Sequence, residues 1–203
     1  MKIAMARLTR AESKALTRKK LCDSARKLIA EKGYSGATVD LIAESAGFSR
    51  GAFYSNYESK DELLIDLLDE YFVYELDSLS NVVDEHSDHP DEIVKALERF
   101  YNRGKESNEW CRLTCEFFLH AFRSPPFRKR FISSYSNHRE QMAKLLEQYL
   151  ESTGADASFS KLLTPMAMGM SLGYSLQVLA EPKYFSDKSL GKALGSLLEL
   201  AAG

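Results

Sequence analysis

Ser49, Arg50, Tyr54, Ser55 and Asn56 gather hydrogen-bonding side chains into one short stretch, with only Gly51, Ala52 and Phe53 between them. A guanidinium fork, a phenol and small polar groups at this density suit the edges of bases and the oxygens of phosphates better than bond-making. Thr38 and Lys60 flank the stretch. Each stands at the expected start of a helix, where free backbone amides favour an anion. Nothing in the chain pairs a nucleophile with a base, forms a phosphate loop or sets metal ligands at a working spacing. No catalytic residue, cofactor or metal is therefore expected, and a helical-bundle enzyme is the weaker alternative.

The elements that must position these residues read as helices throughout. Leu21, Ala25, Leu28 and Ile29 fall on one face of a helix expected over 13–32, with Gly33 as its stop. Thr38 caps a second helix, which buries Val39, Ile42, Ala43 and Ala46 and ends at Gly47. Ser49 caps a third, short helix over 50–56. Ser59 and Glu62 form a capping box that opens a fourth, carrying Leu64, Leu67, Leu68, Tyr71 and Phe72 on one side. The small residues Ala43, Ala46, Gly51 and Ala52 let the second and third helices approach closely. That is the outline of a helix-turn-helix, whose second helix enters a major groove.

Charge agrees with this division. Residues 1–60 hold 12 Lys and Arg against 6 Asp and Glu, a net +6. The remainder holds 15 against 23, a net −8. A basic end on an acidic body indicates that one end alone meets a polyanion. Lys2, Arg7, Arg10, Lys14, Arg18, Lys19 and Lys20 extend the basic end as an arm, about residues 1–12, and a short stretch beyond it. Three cysteines are too few for a disulfide framework, and no run is apolar enough to span a membrane. A cytoplasmic protein is expected.

Residues 17–68 resemble the DNA-binding domain of the TetR family of bacterial regulators. The likeness rests on Gly33-Tyr34, Thr38 to Ala43, Ala46 to Tyr57 and Lys60 to Leu63. It covers about a quarter of the chain. It implies an all-α fold: a three-helix DNA-binding domain over 1–60 and a larger helical ligand-binding and dimerisation domain over 61–203. It also implies a sequence-specific regulator of homodimeric form, a repressor released from double-stranded operator DNA by a small molecule. By position, Ser49, Arg50, Gly51, Ala52 and Tyr54 resemble the family's recognition-helix contacts. Thr38, Tyr57 and Lys60 resemble its phosphate-contacting or packing positions. Ser55 and Asn56 depart from the aromatic and histidine of many members, and Tyr57 from the usual phenylalanine, so base preference does not transfer. A helical ligand-binding protein without operator binding is the other alternative, against which the intact Thr38, Ser49, Arg50, Tyr54 and Lys60 argue.

The body offers weaker signals. After a polar break at 84–90, helices are expected at about 91–106, 109–122, 126–152, 159–180 and 188–201. Aromatic and sulfur-bearing residues are dense over 109–145. Trp110, Cys115, Phe118, His120, Tyr135, His138, Met142 and, further on, Tyr174 are candidates to line a mainly apolar pocket for an aromatic or lipophilic effector. Ordinary helix packing explains the same residues, and Cys111 with Cys115 reads as a pair of buried thiols. Small residues at Gly169 and Gly173, interleaved with Leu172 and Leu176, mark a close helix contact. With Leu190, Leu194 and Leu197 of the last helix they suit a four-helix dimer interface.

Overall fold

A computed structural model describes residues 9–86, 92, 95, 105–185, 190, 193 and 196, and every regular element among them is helical. Helix α1 spans Arg10–Gly36. It begins earlier than the periodicity predicts, because Thr9 and Glu12 form a capping box that apolar spacing does not report. At Gly33 the backbone turns to φ 74°, a conformation that favours glycine, and one further turn carries Tyr34 to Gly36. Helices α2 (Val39–Ser45) and α3 (Arg50–Tyr54) follow, capped by Thr38 and Ser49 as expected. Gly47, at φ 78°, makes the turn between them.

Helix α4 runs over Lys60–His86, so the expected break does not begin at Asp84. Asp84 and Glu85 are the polar side of this last turn, while Leu79 is buried and Val82 and Val83 are half-buried. The polar residues are the wet face of a continuing helix. Helix α5 spans Lys105–Arg123, starting before the expected residue 109. Helix α6 spans Pro125–Thr153. Ser124 caps α6, two prolines occupy its first turn, and Gly154 closes it in the left-handed conformation. A single 3-10 turn, Ala157–Phe159, leads into α7, Ser160–Ala180. The expected helices at 91–106 and 188–201 lie largely outside the described residues. Glu92, Lys95, Leu190, Ala193 and Ser196 are helical.

One apolar core runs without interruption from α1 through the first half of α6. It starts with Leu21, Ala25 and Ile29 of α1, Ile42 and Ala43 of α2, and Phe53 of α3. It continues through Leu63, Leu64, Leu67 and Leu68 of α4 to Leu113 and Phe117 of α5, and Phe127 and Phe131 of α6. The first turns of α4 therefore belong to the three-helix module as much as to the body. A second cluster, Tyr149 and Leu150 with Val82, Val83, Leu146 and Leu163, holds the C-terminal part of α4 against α6. No helix among the described residues is long and apolar enough to cross a membrane.

Candidate nucleic-acid interface

The recognition helix α3 is set by what it buries. Phe53 is fully buried and packs against Tyr57 and Tyr54. That orientation leaves Ser49, Arg50, Gly51, Tyr54 and Ser55 exposed on the opposite side. Ser49 Oγ accepts from the Ala52 amide at 3.2 Å, and Thr38 Oγ1 accepts from the Leu41 amide at 3.3 Å. Each hydroxyl still has its own proton to donate. Arg50 bonds Asp40 on α2 at 2.9 and 3.2 Å and lies 5.6 Å from the Tyr54 ring centroid. The Arg50 and Asp40 side chains are 62% and 61% exposed, so water competes for the pair and the guanidinium can leave it for a phosphate or base. A Cβ at Gly51 would meet only Ser49 Oγ, at an ordinary 3.7 Å. The packing of the protein itself therefore does not require a glycine there.

Four of the expected contact residues are turned inward or engaged within the chain. Ala52 is half-buried. Asn56 turns its side-chain amide back to the Ala52 carbonyl at 2.8 Å, and Ser55, though exposed, bonds the Gly51 carbonyl at 2.9 Å. Tyr57 is 1% exposed and is a packing residue, which removes it from the contact surface. Its hydroxyl donates to Asp66 Oδ2 at 2.7 Å and lies 3.2 Å from Cys22 Sγ. Arg18, which spacing assigned only to the basic extension, covers the Tyr57 ring at 4.1 Å and bonds both the Asn56 carbonyl and Asp66. Nothing in spacing marks Arg18 as the brace beneath the recognition helix, because its partners lie 38 and 48 residues away.

Lys60 also departs from expectation. Its ammonium does not sit over the N-terminus of α4. It donates to the carbonyls of Tyr34 and Ala37 at 2.7 and 3.0 Å and lies 3.8 Å from the Tyr34 ring centroid. Burial lowers its pKa from the ordinary lysine value. The same corner holds a polar junction between module and body. Tyr34 donates its hydroxyl to Asp61 Oδ1, and His120 Nε2 of α5 lies 2.9 Å from that same oxygen. The Tyr34 and His120 rings stack at 3.9 Å. One turn before His120, Glu116 accepts the Tyr34 amide at 2.9 Å. Burial and then Asp61 raise the Tyr34 pKa, so the phenol keeps its proton. Thus α5 grips the Gly33–Tyr34 corner of the module through two side chains one helical turn apart.

The expected pocket residues separate into groups. His120 belongs to this junction. Phe118, Tyr135 and His138 share one aromatic network with Phe72 and Phe131, joining α4, α5 and α6. Trp110 stacks on Tyr71 at 4.0 Å, near Arg26. Met142 is half-buried, and Tyr174 meets Phe185 edge-on. Burial pushes the Cys111 thiol up to about 12 and raises that of Cys115. Among the expected dimer residues, Gly169 and Leu176 are exposed, Leu172 and Gly173 are half-buried, and Leu190 is buried within the chain. Leu194 and Leu197 lie outside the described residues.

Comparison with known proteins places this geometry among helix-turn-helix regulators. A family profile described as "Bacterial regulatory proteins, tetR family" matches residues 21–67. The chain is 29% identical over 118 residues to the HTH-type transcriptional repressor AcnR of Corynebacterium diphtheriae, covering 58% of this chain and 57% of AcnR. Two further curated relatives, both from Bacillus subtilis, align over 24% and 19% of their length. The chain thus spans at most a little over half of each of these three. The fold is similar to that of a transcriptional regulator from Rhodococcus sp. Rha1 (TM-score 0.74, 20% identity, 91% of this chain and 95% of that one). It is also similar to FadR of Bacillus subtilis, solved in complex with stearoyl-CoA (TM-score 0.68, 17% identity, 89% and 96%).

Proposed function

Since the chain belongs to the TetR family of helix-turn-helix regulators, a family without enzymatic activity, we propose that it is a repressor that binds operator DNA as a homodimer and is released by a small molecule. The observation that carries this reading is the exposed face of α3. Arg50 and Tyr54 stand outward on a helix whose other face is locked by Phe53, with Tyr57 and Arg18 bracing its end. Thr38, Ser49 and Ser55 add hydroxyls beside them. Arg50 and Tyr54 serve base edges, while the two capping hydroxyls serve phosphates and set register.

The homodimer reading rests on α7 and the last residue of the turn before it. Phe159, Leu162, Met166, Gly169, Gly173 and Leu176 recur at alternating spacings of three and four, and all but half-buried Gly173 are exposed. Leu162 is 59% and Met166 55% exposed. A Cβ at Gly169 or Gly173 would meet nothing within 4 Å. An apolar seam of this period, with glycines at its centre, fits a second helix laid close along it. The junction of Tyr34, Asp61, His120 and Glu116 then links a change in the body to the angle of the module. Coupling of this kind is typically worth about 1–3 kcal/mol.

The test is operator binding measured by fluorescence anisotropy on the DNA upstream of the protein's own gene. Arg50→Ala and Tyr54→Ala should each weaken binding by about fivefold or more with the fold intact. If both bind as the parent does, α3 is not the reading head. Light scattering at micromolar concentration should give a dimer mass that falls to the monomer in Met166→Glu. A monomer mass for the parent protein overturns the dimer.

A further inference from the structure

His138, on α6, is 2% exposed, and its ring lies flat on Phe72 of α4 at 4.0 Å with an interplanar angle of 4°. Nε2 stands 3.0 Å from Glu75 Oε2, and the Glu75 side chain is itself 13% exposed. The other ring nitrogen, Nδ1, is buried without a hydrogen-bond partner among the described residues. Buried polar atoms are nearly always paired, so this one asks for a partner that the protein does not supply.

The chemistry of that partner follows from Glu75. A carboxylate only accepts, so Nε2 carries the proton. In the neutral ring Nδ1 then presents a lone pair and accepts. The groups around the histidine define the rest. Phe72 covers one face, Tyr135 stands one turn earlier on α6 stacked against Phe131, and Phe118 meets Tyr135 edge-on. The charged groups near it are Glu75 on α4 and Arg139, whose guanidinium reaches Ser136 at 3.4 Å. Nδ1 is not a promising metal ligand, because no cluster of three ligating residues among the described residues includes it.

We propose that His138 Nδ1 is the polar anchor of the effector site and takes a hydrogen bond from the hydroxyl of a neutral, aromatic effector of the phenol class. The inference rests on the ligand-controlled reading above and names the ligand chemistry of that site. An anionic effector is disfavoured by the Glu75 carboxylate on the far side of the same ring. A wholly apolar effector would leave Nδ1 unpaired.

Two measurements on the full-length protein test this. Long-range proton–nitrogen NMR of the histidine rings should show His138 protonated at Nε2 alone. Adding 4-hydroxybiphenyl should move the Nδ1 resonance, and adding 4-methoxybiphenyl should not. In calorimetry the phenol should bind at least about tenfold more tightly than its methyl ether, and the ratio should fall to near one in His138→Phe. A proton on Nδ1 in the free protein overturns the proposal, and this holds even if His138→Phe fails to fold. So do equal affinities for the two biphenyls, no binding of the phenol, or discrimination that survives the substitution. A protein that binds its operator and is released by some other compound, with Nδ1 unmoved, loses only the anchor. One that binds no operator in the anisotropy assay loses the regulatory reading whatever His138 does.

Discussion

Asp61→Ala removes the acceptor that both sides of the junction share. Asp61 Oδ1 takes the Tyr34 hydroxyl from α1 and faces His120 Nε2 at 2.9 Å from α5. A hydrogen bond to a charged acceptor contributes about 1.5–3 kcal/mol when dry. Here the Asp61 side chain is 30% and the His120 side chain 15% exposed, so water re-satisfies part of each and about 1 kcal/mol per bond is the better figure. The stacked rings and the bond from the Tyr34 amide to Glu116 remain. The expected cost is therefore about 2 kcal/mol, a fall in Tm of roughly 4–8 °C for a chain of this length. Tyr34→Phe removes one of the two bonds and should cost about 1 kcal/mol alone, and close to nothing on the Asp61→Ala background. Urea denaturation followed by circular dichroism, at one fixed protein concentration because a dimer's stability depends on it, measures all four members of the cycle. Asp61→Ala within about 0.5 kcal/mol of the parent would refute the reasoning, as would a Tyr34→Phe cost that is equal on both backgrounds.

Lys60→Met should lose about 1–2 kcal/mol of stability with the two carbonyl bonds, yet leave the salt dependence of operator binding unchanged. A slope reduced by about one would restore Lys60 as a phosphate contact. Gly33→Ala places a Cβ 3.2 Å from Glu116 Oε1 on a backbone at φ 74° and ψ 169°, a region nearly reserved for glycine, and should destabilise by about 1–3 kcal/mol in a melting experiment. The Cys22 and Cys111 thiols, both pushed up to about 12 by burial, should label slowly with iodoacetamide at pH 8 in the folded protein. Because the fold raises these pKa values, it favours the protonated thiol. Their contribution to stability is complete below the unfolded value near 8.5 and is lost as pH climbs towards 12, so the loss of stability between these pH values should be smaller in Cys22→Ser/Cys111→Ser than in the parent. Fast labelling of Cys22 and Cys111 would contradict the burial.

The helix-turn-helix geometry is legible because its signals are local. Thr38 and Ser49 are caps, Gly47 needs its turn, and Phe53 must face inward, so each residue carries its own instruction. Tyr57, Arg18 and Lys60 were misplaced or unplaced because their roles are set by residues far along the chain: Asp66 and Cys22 for Tyr57, Asn56 and Asp66 for Arg18, Tyr34 and Ala37 for Lys60. His120 looked like a pocket residue for the same reason, since its partner Asp61 lies 59 residues upstream. The end of α4 was hidden differently. Asp84 and Glu85 resemble a loop until the buried stripe beside them shows a helix turning its charged side to water.

The uninterrupted core has a bearing on how such regulators are recombined. A chimera joined at residue 60 would give a foreign body the task of covering Leu21, Ile29 and Phe53, and would strip Leu63, Leu64, Leu67 and Leu68 of their neighbours. The seam that grafting should respect lies beyond Leu68. Even there a donor body must bring its own counterpart of Leu113 and Phe117. The reading head of this chain is thus not a detachable cassette: it travels with the first turns of α4 and with a surface shaped to receive α5.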